Sequence, residues 1–229
     1  MSETVEPGVL YIVSTPIGNL EDITLRAIKV LGGVDLIAAE DTRKTKFLLD
    51  HLKIAKPLLS YFSYNEARRT PDLIGKLTDG KSVALVTDAG TPGISDPAYA
   101  LIKAALDAGL KVVPIPGASA VLPALIVSGL PTDRFVFEGF LPVKKGRRTK
   151  LEELRSEPRT IVIYESPFRI VKTVEEIQKC FGDRRIAVVR ELTKKFEEVI
   201  RGTAAAVLEE LRRKAPRGEY VLVIEGCES

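Results

Sequence analysis

The chain has 229 residues, of which 45% are hydrophobic, 28% charged and 6% aromatic, with a formal net charge of +3. These proportions exclude a disordered chain. Its apolar runs are strand-sized and far short of the roughly 20 residues that span a bilayer. The positive excess lies in the second half, at Lys144, Lys145, Arg147, Arg148 and Lys150. That mild bias suits contact with a polyanion without making the whole chain basic.

Residues 9–14 predict a buried strand, because the run is short and β-branched. A turn at 15–19 follows, then a helix starting near Asp22 or Thr24 and ending at Gly32-Gly33. Residues 34–39 predict the next strand, whose carboxyl end delivers Glu40, Asp41 and Arg43. Residues 42–50 predict a helix, 58–60 a strand, 66–77 a helix and 82–87 a strand. The loop 88–95 leads to Asp96 as a helix cap and Pro97 as a first helical residue, with the helix running to about 107. A strand at 111–115 ends at Pro116-Gly117, and Ser119 caps a short helix through 127. Strand, loop and helix in this rhythm indicate a mainly parallel sheet with helices on its faces.

The second half alternates less cleanly. Strands are predicted at 134–138, 160–165, 186–191, 197–201 and 219–225, and helices at 147–155, 170–179 and 203–213. The last three strands are too close together for three helical crossovers, so a mixed sheet is expected. The fold class is therefore α/β in two lobes, 1–117 with a mainly parallel sheet and 118–229 with a mixed one, and a substrate site is expected in the cleft between them.

Ligands of open α/β sheets bind beyond the carboxyl ends of strands. Four loops qualify: 15–19, 40–43, 88–95 and 114–120. The first contains only Gly18, so it is no G-x-G-x-x-G dinucleotide fingerprint, and no phosphate-binding G-x-x-x-x-G-K-S/T occurs. Glu40, Asp41 and Arg43 fit a base, a substrate clamp or a helix-start ion pair. The segments 164–169 and 190–194 fit either a cleft lining or ion-paired structural turns. The single histidine, His51, fits a helix end and excludes a Ser-His-Asp constellation or a histidine-rich metal site. No metal is expected. Cys180 and Cys227 lack metal-ligand spacing and point to a reducing compartment. No basic stretch with a following apolar run opens the chain, so a cytoplasmic protein without a signal peptide or membrane attachment is expected.

Seven blocks in order, TPIGNLEDITLRA (15–27), AAEDTRKT (38–45), DAGTPGISDP (88–97), PIPGASA (114–120), FEGFLP (137–142), YESPFR (164–169) and RELTKKFEE (190–198), resemble the ribosomal RNA small subunit methyltransferase I family of the tetrapyrrole-methylase superfamily. The resemblance implies two α/β lobes, S-adenosylmethionine as cofactor and a homodimer. It implies methyl transfer to the ribose 2′-oxygen of a cytidine in the decoding region of 16S rRNA, within the 30S subunit. By motif position the cofactor is expected at Ile17, Asp88, Ala89, Gly90, Thr91, Ile94, Ser119, Ala120, Tyr164 and Leu192. Glu40, Asp41 and Glu165 are the carboxylates expected to accept the hydroxyl proton. Arg43 is expected beside them to position ribose or phosphate. Asn19, Arg169 and Lys194, with Lys144, Lys145, Arg147 and Arg148, are expected to contact RNA. Some members carry a further carboxyl-terminal segment, whereas this chain ends soon after its last strand. Two rivals are a superfamily enzyme acting on a tetrapyrrole or protein, and a non-enzymatic RNA-binding assembly factor.

Overall fold

A computed structural model describes residues 5–227. The chain divides into two compact units, Met1–Ser119 and Ala120–Ser229. Among the described residues no helix is long and apolar enough to cross a membrane.

The first unit is a parallel sheet of β1 (Leu10–Val13), β2 (Leu36–Ala39), β3 (Leu58–Ser60), β4 (Val83–Val86) and β5 (Val112–Ile115), in the order β3-β2-β4-β1-β5. Every residue of β1 is buried, as a strand covered on both faces requires. Val9, Tyr11 and Val13 face α1 (Leu25–Gly33) and α2 (Thr42–His51), in a core with Ala27, Leu31 and Leu49. Leu10 and Ile12 face α3 (Glu66–Thr78) and α4 (Tyr99–Asp107), in a core with Leu73, Leu77 and Leu101. The connection from β1 crosses toward β2, whereas that from β4 crosses over β1 to β5. The chain thus reverses direction at the β1–β4 pair, where the connections leave a crevice at the strands' carboxyl ends.

Thr24 caps α1 by accepting from the Ala27 amide at 3.1 Å, as its position predicts. One predicted cap differs. Asp96 does not cap a helix; α4 begins at Tyr99 with Ala98 as its N-cap. Positive φ at Gly93 (88°) and Ser95 (68°) coils the loop and turns Asp96 toward the strand ends.

The second unit contains β6 (Phe135–Phe140), β7 (Thr160–Glu165), β8 (Arg185–Arg190), β9 (Glu198–Thr203) and β10 (Tyr220–Ile224), in the order β6-β7-β10-β8-β9. Only β6 and β7 run parallel; the other pairs are antiparallel. The mixed sheet expected from the short spacing of the late strands is what forms. Its main core joins Ile161, Ile163, Val188, Leu222 and Ile224 to α6 (Arg147–Arg155), α7 (Ile170–Phe181) and α8 (Ala204–Arg212). A further helix, α5 (Val121–Ser128), packs against β8 and β10. Its N-cap is Ala120, which offers no side-chain bond, and Ser119 precedes it rather than capping it.

Candidate functional site

In the first unit, three loops meet at the carboxyl ends of β1, β4 and β5. Thr15 and Gly90 form an isolated antiparallel bridge, the two amides donating to the opposite carbonyls at 2.9 and 3.0 Å. The buried Thr15 hydroxyl donates to the Thr87 carbonyl at 3.1 Å. The hydroxyls of Ser14 and Thr91 lie 2.8 Å apart, and that of Thr91 donates to the Ala118 carbonyl at 3.4 Å.

Two glycines permit this convergence. Gly90 has φ of 83°, a conformation that L side chains rarely adopt, and an added Cβ would stand 3.5 Å from Ile17 and 3.9 Å from the Ala118 carbonyl. At Gly117 an added Cβ would come within 2.9 Å of Ser14 Cβ. The loops that hold Ile17, Asp88, Ala89, Gly90 and Thr91 thus lie together, with Ser119 next in chain to Ala118. Ile94 is tied to the same loop by its amide, which donates to the Thr91 carbonyl at 3.2 Å.

The end of β2 joins this assembly through charge. The Asp41 amide donates to Asp88 Oδ1 at 3.0 Å, and Lys44 Nζ donates to Asp88 Oδ2 at 2.6 Å. The Asp88 amide in turn donates to Glu40 Oε2 at 3.2 Å. Asp41, Lys44 and Asp88 border an open depression of about 540 Å³, lined also by Thr15, Pro16 and Leu20 from the first loop, Thr87 from the third, and Arg43, Thr45, Phe47 and Leu48 of α2.

Asp41 is committed to structure. It caps α2 by accepting from the Arg43 amide at 2.9 Å, and it receives the Arg43 guanidinium at 2.7 and 3.0 Å. Bonds from the Arg43 side chain and then its backbone hold the Asp41 carboxyl well below the usual range, which makes it a weak base. The helix-start ion pair is the alternative that the geometry supports for these two residues.

Asp96 is the residue that sequence reasoning missed as a titrating group. Burial first, and then the Glu40 and Asp88 carboxylates, push it up to about 6. The Thr87 hydroxyl is buried without a hydrogen bond of good geometry, yet stands close enough to Asp96 to counter part of that rise. The signal was present in the sequence as the Ser95-Asp96-Pro97 run, but a cap is the ordinary role of an aspartate before proline and helix.

Asn19 caps the short 3-10 turn Leu20–Asp22, accepting from the Glu21 amide at 3.0 Å. His51 is the last residue of α2, the helix-end position expected for it.

Several predicted residues of the second unit have other roles than those expected. Glu165 is no exposed base. Its side chain has no accessible surface, and both oxygens are engaged: Oε1 accepts from the Ser166 amide and Arg169 Nε, each at 2.7 Å, and Oε2 from the Thr173 hydroxyl at 2.7 Å. Arg147 is not on an RNA-facing rim. Its side chain is 8% exposed and donates to Glu176 at 2.7 Å, Thr173 at 2.7 Å and the Pro142 carbonyl at 3.2 Å. The basic run hid this, because one of its five basic residues points inward as the first residue of α6. Arg169 bonds the Leu141 carbonyl at 3.1 Å as well as Glu165, and so serves the same network. Lys194 is held between Glu191 at 2.9 Å and Glu219 at 2.7 Å.

Among the remaining basic residues, Arg148 pairs with Glu152 at 2.7 Å, although it stays exposed. Lys144 and Lys145 are exposed and form no ion pair with the described residues. Tyr164 lies on β7 and is half-buried, packed edge-on against Phe137 and Phe140. Leu192 is buried in the β8–β9 connection, between Glu191 and Thr193, which both have positive φ.

Comparison with known proteins agrees with this architecture. The family profile described as Tetrapyrrole (Corrin/Porphyrin) Methylases matches residues 9–208. Proteins named ribosomal RNA small subunit methyltransferase I are similar over 96% of the chain. The Synechocystis protein is 51% identical with 80% of its length covered. The Thermotoga maritima protein is 47% identical with its full length covered. The Escherichia coli O157:H7 protein is 49% identical with 78% covered. Two solved structures share the fold. Diphthine synthase has a TM-score of 0.72 at 18% identity, covering 95% of this chain and 90% of that one. Cobalt precorrin-4 methyltransferase has a TM-score of 0.67 at 19% identity, covering 95% of both. The chain therefore belongs to the ribosomal RNA small subunit methyltransferase I family, within the tetrapyrrole methylases.

Proposed function

We propose that this protein methylates the ribose 2′-oxygen of a cytidine in the decoding region of 16S rRNA, using S-adenosylmethionine and acting on the 30S subunit. The observation that carries the reading is the meeting of the 15–19, 88–91 and 117–119 loops around the Thr15–Gly90 bridge, with carboxylates alongside. Its chemical identity as an rRNA methylase is supported by nearly full-length similarity to proteins of that name.

The first unit fits the cofactor. Gly90 lets backbone approach a ligand closely, Ile17 offers an apolar contact, and Asp88 and the Thr91 hydroxyl offer polar ones. Ser119 and Ile94 belong to the same assembly, and the resemblance adds Ala120, Tyr164 and Leu192. When bound, the cofactor supplies a methyl group on a positively charged sulfur.

A ribose hydroxyl is a poor nucleophile and needs a proton acceptor at its oxygen. Glu40 and Asp96 are the carboxylates at the strand ends that fit this task, since Asp41 is locked to Arg43 and Glu165 is enclosed. In this reading Lys44, which lines the depression beside Asp88, meets a ribose or phosphate. A soluble cytoplasmic homodimer completes the reading; exposed Leu122 and Ile126 on α5 provide apolar surface of the kind that such an interface covers.

The test is incubation of isolated 30S subunits with methyl-labelled cofactor, followed by mapping of the modified nucleotide. Label at a cytidine 2′-oxygen supports the reading. Label on a base, or on protein, overturns it.

A further inference from the structure

Beside Tyr164, one end of the second sheet carries exposed side chains that the cofactor reading does not use. Phe140 lies opposite Tyr164, and Glu165, Tyr220, Arg190 and Glu198 are successive partners across β7, β10, β8 and β9. The connections after β6 and β7 therefore leave from the same end of the sheet.

On that end Phe168 is 95% exposed and Phe140 55%. Leaving a phenylalanine in water forgoes a burial worth roughly 1.5–3 kcal/mol, and isolated cases are ordinary. Two rings on connections that are bonded together call for a reason. A β-bulge contributes to the arrangement. The register shifts between Phe137 and Gly139, and Gly139 has φ of 60°. Residues three apart in a regular strand face opposite ways. The extra residue instead brings both Phe137 and Phe140 against the Tyr164 ring, at 4.9 and 5.6 Å between centroids.

The mounting is rigid. Arg169, next to Phe168, donates to the carbonyl of Leu141, next to Phe140, at 3.1 Å, while its Nε holds the enclosed Glu165. Arg147 fixes the Pro142 carbonyl from below. Lys144 and Lys145, which form no ion pair with the described residues, stand on the connection after β6.

We infer that this end of the sheet is a binding surface for an unpaired stretch of RNA, with Phe140 and Phe168 stacking on bases and Lys144 and Lys145 meeting phosphates. Exposed rings on connections that also carry exposed cations match a single strand, whose bases expose their faces. A duplex keeps its bases stacked and offers side chains only its grooves and backbone. The inference rests on the reading of the chain as an rRNA methyltransferase, and adds the form of RNA and the residues that grip it.

The experiment uses the full-length protein and a fluorescein-labelled 12-nucleotide oligoribonucleotide, either single-stranded or annealed to its complement, with Kd read by anisotropy at fixed salt. The single strand is expected to bind more tightly than the duplex. Phe168→Leu and Phe140→Leu, which keep apolar bulk but lose the ring, should each raise its Kd by about 5-fold or more. Phe168→Tyr should restore wild-type affinity. The sedimentation coefficient should stay unchanged in both variants, and the thermal midpoint in Phe168→Leu, whose ring is 95% exposed. Leucine variants that bind like wild type, or equal binding of duplex and single strand, overturn the inference. A change in sedimentation accompanying the leucine substitutions would assign the rings to a contact between copies and overturn it too. Methyl transfer by wild type to 30S subunits is measured alongside. If it occurs while the leucine variants bind normally, the functional reading stands and this inference falls. If it is absent, the functional reading falls, and the anisotropy still decides the stacking.

Discussion

Arg147 and Glu165 share a single hydroxyl. Thr173 accepts from the Arg147 guanidinium at 2.7 Å and donates to the Glu165 carboxylate at 2.7 Å, while the two charges themselves stand 4.0 Å apart. With Arg169 and Glu176 they form a buried network that fastens the 141–147 connection to the start of α7.

Removing one partner from such a network leaves an uncompensated buried charge. Glu165→Gln or Arg147→Met is therefore expected to destabilise the protein by about 3–5 kcal/mol. Urea unfolding of each variant checks this. A Glu165→Gln protein of wild-type stability with abolished methyl transfer would instead make Glu165 a catalytic base.

Asp96 gives stability a pH dependence with a definite sign. An aspartate in an unfolded chain titrates near 4, whereas Asp96 is pushed up to about 6 by burial and its carboxylate neighbours. Between these values the folded chain holds a proton that the unfolded chain has released. The stabilisation is complete below about pH 4 and is lost as pH rises through about 6. Asp96→Asn should thus gain on the order of 1 kcal/mol over wild type at pH 7.5, allowing for partial exposure, and close to nothing at pH 4. Urea midpoints at the two pH values decide it; an equal gain at both contradicts the assignment.

The same group bears on rate. If Asp96 or Glu40 accepts the ribose proton, Asp96→Asn or Glu40→Gln lowers kcat by about 100-fold or more. For Asp96 the wild-type rate should also fall as pH drops below about 6. Full activity in both variants, with normal cofactor affinity, would remove carboxylate catalysis at these strand ends.

Gly90→Ala and Gly117→Ala test the loop assembly. The first forces a side chain to φ of 83°, and the second places a Cβ 2.9 Å from Ser14. Each should cost about 1–3 kcal/mol and weaken cofactor binding measured by calorimetry. Unaltered cofactor affinity in both would separate these loops from the cofactor.

The fold was legible wherever a strand was buried on both faces or a turn residue had one obvious use. The runs at 9–14 and 82–87 and the cap at Thr24 are of this kind, and the crowding of the last three strands pointed to the mixed sheet. The loops that converge on Gly90 were legible from their position at strand ends. What stayed hidden depends on which way one side chain turns. Arg147 looks like its basic neighbours until α6 points it inward, and Glu165 looks like a site acid until β7 buries it. Asp96 looked like a cap because the positive φ of Ser95, a non-glycine residue, is not readable from composition.

The most direct test of the central claim is methyl transfer to 30S subunits from labelled cofactor, with the modified nucleotide mapped. Label is expected on the 2′-oxygen of a cytidine in the decoding region of 16S rRNA. Label on another atom or another molecule, or none with a protein that binds the cofactor, would contradict it.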